Sequence, residues 1–252
     1  VVAMCGRVVT TSSPKELSRY LGAAEIVDVL GGEDYNLAPT GRLPLVWAEA
    51  RTGDGDRGLA RVLGTARWGL VPKWADRPEI GARMFNARAE TVAEKPAFRA
   101  AYARRRCLIP VDGFYEWGLG HENHAKQPWY IYRPDGDPLV LAGLWEHWSP
   151  PDTQEGELRT CTVITVPAND DLRPVHHRMP ALLPPRDWSD WLDPGEACRE
   201  ILDAMLRPAA DGLLSRHPVD RRVNNARNKG PELLEEAIAD SDPRPLGQER
   251  LW

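Results

Sequence analysis

Short apolar runs, broken by Gly, Pro, Asn and Asp turns, dominate the middle of this chain and read as a succession of β-strands. Residues 43–49, 59–71, 107–111, 114–117, 128–133, 139–148 and 158–166 carry that pattern, with a short opening strand at 5–11 and a last one near 214–223. The connecting stretches are polar: 52–58 is a Gly/Asp-rich turn, and 118–127 has the composition of a hairpin loop. Helical signals are fewer. Ser13-Pro14-Lys15-Glu16 places Ser at the N-cap, Pro at the first position and Glu at the third, a capping box that opens a helix through about Leu21. Glu90 to Ala103 is helical in composition, Asp193-Pro194-Gly195-Glu196 starts a helix through Leu206, and Pro231 to Ile238 forms a last one. Helices and strands do not alternate regularly. The expected fold is therefore α+β: a single domain on a mostly antiparallel, barrel-like sheet with peripheral helices. No internal repeat and no flexible linker divides the chain. The domain is expected to span 4–238, with 1–3 a leader or a non-native remnant and 239–252 a loose tail.

The composition changes this picture little. The chain has 252 residues, 42% hydrophobic and 27% charged, enough to bury a core without staples. Its cysteines, Cys5, Cys107, Cys161 and Cys198, are scattered, and none has zinc-site spacing. The last three are expected in the core, and no metal or organic cofactor is expected. No apolar run approaches the roughly 20 residues of a membrane span, so the expectation is a cytoplasmic protein. A net charge of −5 argues against a broad grip on duplex nucleic acid. The Arg104, Arg105, Arg106 run and Arg7, Arg83 and Arg88 nonetheless leave room for a local basic groove, the run itself reading equally as a solvated helix face.

Candidate chemistry begins at Met4-Cys5-Gly6-Arg7. Removal of Met4 requires a small residue after it, and cysteine qualifies. The product would begin with a 1,2-aminothiol, whose amine condenses with an aldehyde and whose thiol closes a thiazolidine ring. The same residue is otherwise a buried apolar position opening a strand. Asn86, ahead of a helix, is either its N-cap or a site residue. Glu116, inside the aromatic run Phe114-Tyr115-Glu116-Trp117, lies on a wet sheet face or in a dry pocket where it would do acid–base work. His176 and His177 precede Arg178 in a Pro-bounded loop. Trp68 reads as core, whereas Trp74, beside Lys73, Asp76 and Arg77, has the setting of an indole that stacks on a base.

Taken together these motifs resemble one family. Met4-Cys5-Gly6-Arg7, Tyr35-Asn36-Leu37-Ala38-Pro39, Trp68-Gly69-Leu70-Val71-Pro72, Asn86-Ala87-Arg88-Ala89-Glu90-Thr91, Arg106-Cys107-Leu108-Ile109-Pro110, Gly113-Phe114-Tyr115-Glu116-Trp117, Ala142-Gly143-Leu144-Trp145 and His176-His177-Arg178-Met179-Pro180 follow in the order of the SRAP family, the SOS response-associated peptidases or abasic site processing proteins. The resemblance runs from Met4 to about Leu234. It implies binding of single-stranded DNA and covalent coupling to abasic sites through an N-terminal cysteine, here Cys5. It implies active-site roles for Asn86, Glu116 and His176, DNA contacts at Arg7 and Arg88, and Trp74 in the groove. Arg104–Arg106 and Arg178 join the expected DNA-binding set. Relatives carry a second aromatic after the groove tryptophan where this chain has Ala75, so one stacking contact is lost. Self-removal of a leader and weak strand-cleaving lyase activity belong to the same expectation, as does a monomer without an obligate protein partner.

Other readings compete. N-terminal-nucleophile amidohydrolases also begin Met-Cys-Gly, but Arg7-Val8-Val9 lacks the pattern that follows in that class, and no glutamine-pocket motif appears. A cysteine protease using Cys5 and His176, and a non-enzymatic single-strand-binding module, complete the set.

Overall fold

The computed structural model describes residues 6–28, 31–50, 58–118, 126–150, 156–195 and 198–237. The strands are β1 (Val8–Thr10), β2 (Glu25–Ile26), β3 (Asp34–Leu37), β4 (Arg42–Ala50), β5 (Leu59–Trp68), β6 (Asn86–Arg88), β7 (Arg106–Val111), β8 (Gly113–Gly118), β9 (Gln127–Tyr132), β10 (Leu139–Trp148), β11 (Leu158–Pro167), β12 (Arg178–Pro180) and β13 (Ser215–Pro218). Most appear where apolar runs predicted them, and four short ones, β2, β3, β6 and β12, appear where none was predicted. The helices are short: α1 (Pro14–Leu21), α2 (Ala89–Val92), α3 (Arg99–Arg104), α4 (Trp188–Leu192) and α5 (Arg199–Met205).

β4, β5, β7, β10 and β11 close on themselves. The order β11-β10-β7-β4-β5 is joined end to end by a parallel pairing of β11 with β5, Cys161 opposite Trp68, and β6 runs parallel to the next stretch of β11. This closed ring is the barrel the sequence predicted. The main apolar core includes Leu43, Leu45, Trp47, Leu63, Trp68, Leu108, Leu141 and Val163, none more than 1% exposed. A second, open sheet has the order β13-β9-β8-β1-β3. The chain crosses from ring to open sheet between β7 and β8 at one residue, Asp112. Its carboxylate accepts from the Thr11 and Ser12 main-chain N–H groups, at 2.5 and 2.9 Å, which ties β1 to the corner. Gly113 must follow, because a Cβ there would sit 2.4 Å from the Tyr130 ring.

The α1 capping box is formed as predicted: Ser13 accepts from Glu16 N–H and Glu16 returns a bond to Ser13 N–H. Other boundaries move for physical reasons. The helix expected over Glu90–Ala103 is broken into α2 and α3, since Pro96 lacks an N–H and disfavours helix in the residue before it. The strand expected over 59–71 stops at Trp68, where Gly69 takes φ of +126°. The strand expected near 214–223 ends at Pro218. The Asp220 side chain, accepting from Arg222 N–H, then caps a 3-10 turn over Arg221–Asn224. The expected terminal helix is a single 3-10 turn, Pro231–Leu234. Among the cysteines, Cys107 and Cys161 are buried, and burial pushes both thiols well above the ordinary range. Cys198 is instead exposed, its thiol donating to Glu200 at 2.5 Å, because α5 turns that edge outward. The expected opening at Cys5, the leader and the tail lie outside the described residues.

Candidate functional site

β1 and β8 lie side by side in the open sheet, Val8 opposite Phe114, and the Tyr115 N–H donates to Arg7 O at 2.9 Å. This pairing carries the residues just before β1 past the middle of β8, where Glu116 lies. A cavity of about 410 Å³ opens there, lined by Gly6, Arg7, Pro39, Phe85, Glu116, Trp117, Lys126 and Asn224. A larger hollow of about 570 Å³ shares Pro39 with it but contains none of the expected site residues.

Glu116 is only 3% exposed. An aromatic strand pattern puts a carboxylate on the buried side here, and one of its oxygens accepts from the Trp117 main-chain N–H at 3.1 Å. Arg7 is half-buried and held from several sides. Its Nη1 donates to Asn36 Oδ1 and to Val223 O, both at 2.7 Å, and its guanidinium lies 5.7 Å from the Trp117 ring centre. Burial lowers its pKa, opposed by Tyr115 and Asp34. Asn36, fully buried, spends its own amide on Val223 O, Asn225 O and Asn228 O at 3.0–3.1 Å. Together they clamp the segment 223–228 over the open sheet. Trp117 adds a bond from Nε1 to Asn224 Oδ1 at 2.7 Å, so that Asn224 forms a cavity wall.

The ring supplies the opposite wall. Phe85 packs edge-on against the buried Trp68, centroids 5.9 Å apart, and its carbonyl accepts from Trp68 Nε1 at 2.9 Å. A Cβ built on Gly6 would lie 3.6 Å from the Phe85 ring. Asn86 follows Phe85 directly and pairs with Val163 on β11. It is a strand residue, not a cap, since Arg88 holds the N-cap position of α2. His176 stands beside the far end of β8: Val175 Cα lies 3.4 Å from where a Cβ on Gly118 would be. The His176 Nδ1 accepts from Arg178 N–H at 3.1 Å, which leaves its proton on Nε2. Burial lowers its pKa, and the stacked His177 ring, 4.3 Å away, and the nearby Lys126 lower it further. These effects favour the neutral ring, opposed by the bond from the Arg178 N–H. Arg7, Glu116 and the residue that follows Cys5 thus share one cavity, flanked by Asn86 and His176. Cys5 itself lies outside the described residues.

The remaining arginines divide. Arg88 and Arg104 are exposed, Arg104 lining a separate depression with Arg99 and Arg199. Arg105 pairs with the buried Glu146 at 2.5 Å. Arg106 departs from the expected phosphate contact: it is 2% exposed and donates to the carbonyls of Tyr102, Ala103, Trp191 and Asp193. Arg178 departs likewise. It grips Glu90 with both terminal nitrogens, at 2.8 and 3.0 Å, and bonds Thr165 O, so that it fastens the histidine loop to the Asn86 segment. Trp74 is 57% exposed on a loop pinned by Trp148 Nε1 donating to Ala75 O at 2.7 Å. Ala75 itself is buried in the small apolar cluster with Val71 and Trp148. The sequence reading passed over Asn36, Lys126 and Asn224. Asn36 stood inside a family motif, whereas Lys126 closed a presumed hairpin loop and Asn224 lay just past a presumed strand. Among the described residues, no group of three or more His, Cys, Asp or Glu side chains could hold a metal ion, and no helix is long and apolar enough to cross a membrane.

Fold and site together define a class: a closed strand ring joined to an open sheet, with Gly6 and Arg7 beside a buried carboxylate at their seam. The chain belongs to the SOS response associated peptidase (SRAP) family, whose model matches residues 4–226. It is 34% identical to the abasic site processing protein YoqW of Bacillus subtilis, over 92% of this chain and 99% of that one. It is 31% identical to the abasic site processing protein HMCES of Xenopus tropicalis, over 92% of this chain and 78% of that one. A crystal structure of a Bacteroides thetaiotaomicron protein superposes with a TM-score of 0.77 at 25% identity, covering 93% of this chain and all of that one.

Proposed function

We propose that this protein captures abasic sites in single-stranded DNA as a thiazolidine on Cys5, once Cys5 is the first residue. The observation that carries this reading is that Gly6, the residue after Cys5, lines the same cavity as Glu116. The relatives' role in abasic-site processing supports the substrate.

An abasic deoxyribose is mostly a cyclic hemiacetal, and only the ring-opened form presents an aldehyde at C1′. His176, neutral with its proton on Nε2, assists ring opening by exchanging a proton with the sugar oxygens. The Cys5 α-amine, with an ordinary pKa of about 7.7–8.0, has a neutral fraction at pH 7 and attacks C1′ to give a carbinolamine. Glu116 delivers a proton to the departing hydroxyl, water leaves and an imine forms. The Cys5 thiol adds to the imine carbon, its proton passing to nitrogen, and closes the ring. The net change is the loss of one water, and no redox step is needed. Asn86 hydrogen-bonds the product with its amide. The exposed Arg88 meets the strand, Arg7 shapes the cavity floor through Asn36 and Val223, and Trp74 stacks on a neighbouring base. The imine also permits β-elimination, a weak lyase activity, and the same cysteine serves removal of a leader.

The test is a denaturing gel of mature protein, beginning at Cys5, mixed with single-stranded DNA carrying one abasic site. A heat-stable adduct is expected. Cys5→Ala and protein retaining residues 1–4 should give none, and Glu116→Gln should slow formation about 100-fold or more. An equal adduct from Cys5→Ala would overturn the reading.

A further inference from the structure

We propose that Lys126 is the phosphate-binding residue of this cavity, with Asn224 as a second donor, and that the pair positions the sugar by holding the phosphodiester beside it. The inference rests on the reading above. Among the described residues lining the cavity the charged ones are Arg7, Glu116 and Lys126. A polyanion approaching a buried carboxylate needs a cation that is free to meet it. Arg7 is committed to Asn36, Val223 and the face of Trp117. Lys126 forms no hydrogen bond or ion pair among the described residues.

Its backbone is nonetheless firmly placed. Gln127, the next residue, is buried and pairs with Gly118 at the end of β8, while its side chain donates to Pro128 O and Val219 O, both at 2.9 Å. A fixed base under a four-methylene stem suits a point-charge contact with phosphate. Asn224 complements it. Because Trp117 Nε1–H occupies Asn224 Oδ1, the group left to this amide is its N–H donor pair. The cavity lining thus includes an ammonium and an amide donor alongside the apolar Phe85, and both act on the sugar through the phosphate rather than at C1′.

The experiment measures adduct formation by mature protein at limiting DNA, as a function of salt, for the natural chain, Lys126→Ala, Lys126→Arg and Asn224→Ala. Substrates are the abasic oligonucleotide, the same oligonucleotide with a methylphosphonate in place of each flanking phosphate in turn, and free 2-deoxyribose. For Lys126→Ala we expect a rate about ten-fold lower on DNA, the scale of one charge-assisted hydrogen bond. The log–log salt slope should flatten by about 0.7, one single-strand phosphate contact. Lys126→Arg should recover most of the rate. One methylphosphonate position should slow the natural chain and leave Lys126→Ala no slower, and 2-deoxyribose should react equally with both. Natural rate and salt slope in Lys126→Ala, or an equal loss on 2-deoxyribose, would overturn the assignment. A natural chain that forms no adduct with DNA or with 2-deoxyribose would instead sink the functional reading itself.

Discussion

The closed ring and the open sheet bury polar side chains for different ends. In the ring, Thr160 accepts from Val71 N–H at 3.0 Å, Thr165 donates to Ala87 O at 3.3 Å, and Arg106 gathers carbonyls from the segments around α3 and α4. Each bond fastens an attached segment to the ring wall, so these groups are consumed by the fold. The open sheet also uses Asn36 and Gln127 as fasteners, but its centre keeps Glu116 on a cavity wall beside the start of the chain. The ring supplies Phe85 to the cavity, and the open sheet supplies Glu116 and Trp117. A closed ring has no strand edge left to move, so it can fix Phe85 and Asn86 from one side. Gly6 and Arg7, by contrast, lead into β1 of the open sheet and line a cavity that opens to solvent.

The sharpest way to break this comparison is to empty the ring. Trp68→Ala removes a fully buried indole and one of the two bonds to Phe85 O, which keeps the Val163 N–H, and should cost about 3–5 kcal/mol in urea unfolding. A cost below about 1 kcal/mol would mean that stability does not reside there. On the open side, Asn36→Ala removes the amide that holds Val223 O, Asn225 O and Asn228 O and the acceptor of one Arg7 bond, although Val223 O keeps Arg7 and Asn225 O keeps the Asn228 N–H. The expected loss is about 1–3 kcal/mol. Limited proteolysis should then cut within that segment before the ring yields, and simultaneous loss of both would show that they are not separable. The smallest effect concerns the strap between them. Hydrogen bonds from Arg178 hold the Glu90 carboxyl below its ordinary value. A depressed carboxylate stabilises above its unfolded pKa, and that contribution disappears as pH falls through the lower folded value. The melting temperature of Glu90→Gln should therefore lie slightly under the natural one at pH 7 and converge with it at acid pH. Glu90 is about half exposed, so screening keeps the difference under about 1 kcal/mol.

Much of this was legible in the residues. The α1 capping box, the long strands β4, β5, β10 and β11, the turn positions and the order of family motifs are all local. The aromatics around Glu116 left a wet face and a dry pocket both open, and the fold decided for burial, whereas the charges around Trp74 pointed to the exposed indole that is found. The short strands β2, β3, β6 and β12 were not legible, because two to four residues carry too little pattern to outweigh their neighbours. These are also the segments that bring Asn36, Asn86 and Arg178 into place. The broken helix at Pro96 and the exposed Cys198 show the same limit from the other side: composition proposed, and local backbone or surface placement decided.

By itself, the sequence determined the strand-rich α+β class, the family and the cysteine–glycine start, since capping, turn chemistry and apolar runs act over a few residues. Only the tertiary structure decided the fate of each cation. Arg105, Arg106 and Arg178 read as one basic set with Arg7, Arg88 and Arg104, yet Glu146, Trp191 O and Glu90, which meet the first three, lie 41 to 88 residues away along the chain. A guanidinium bonds whatever acceptors the packing brings within about 3 Å, and the packing of α2, α3 and α4 against the strands set which acceptors those were.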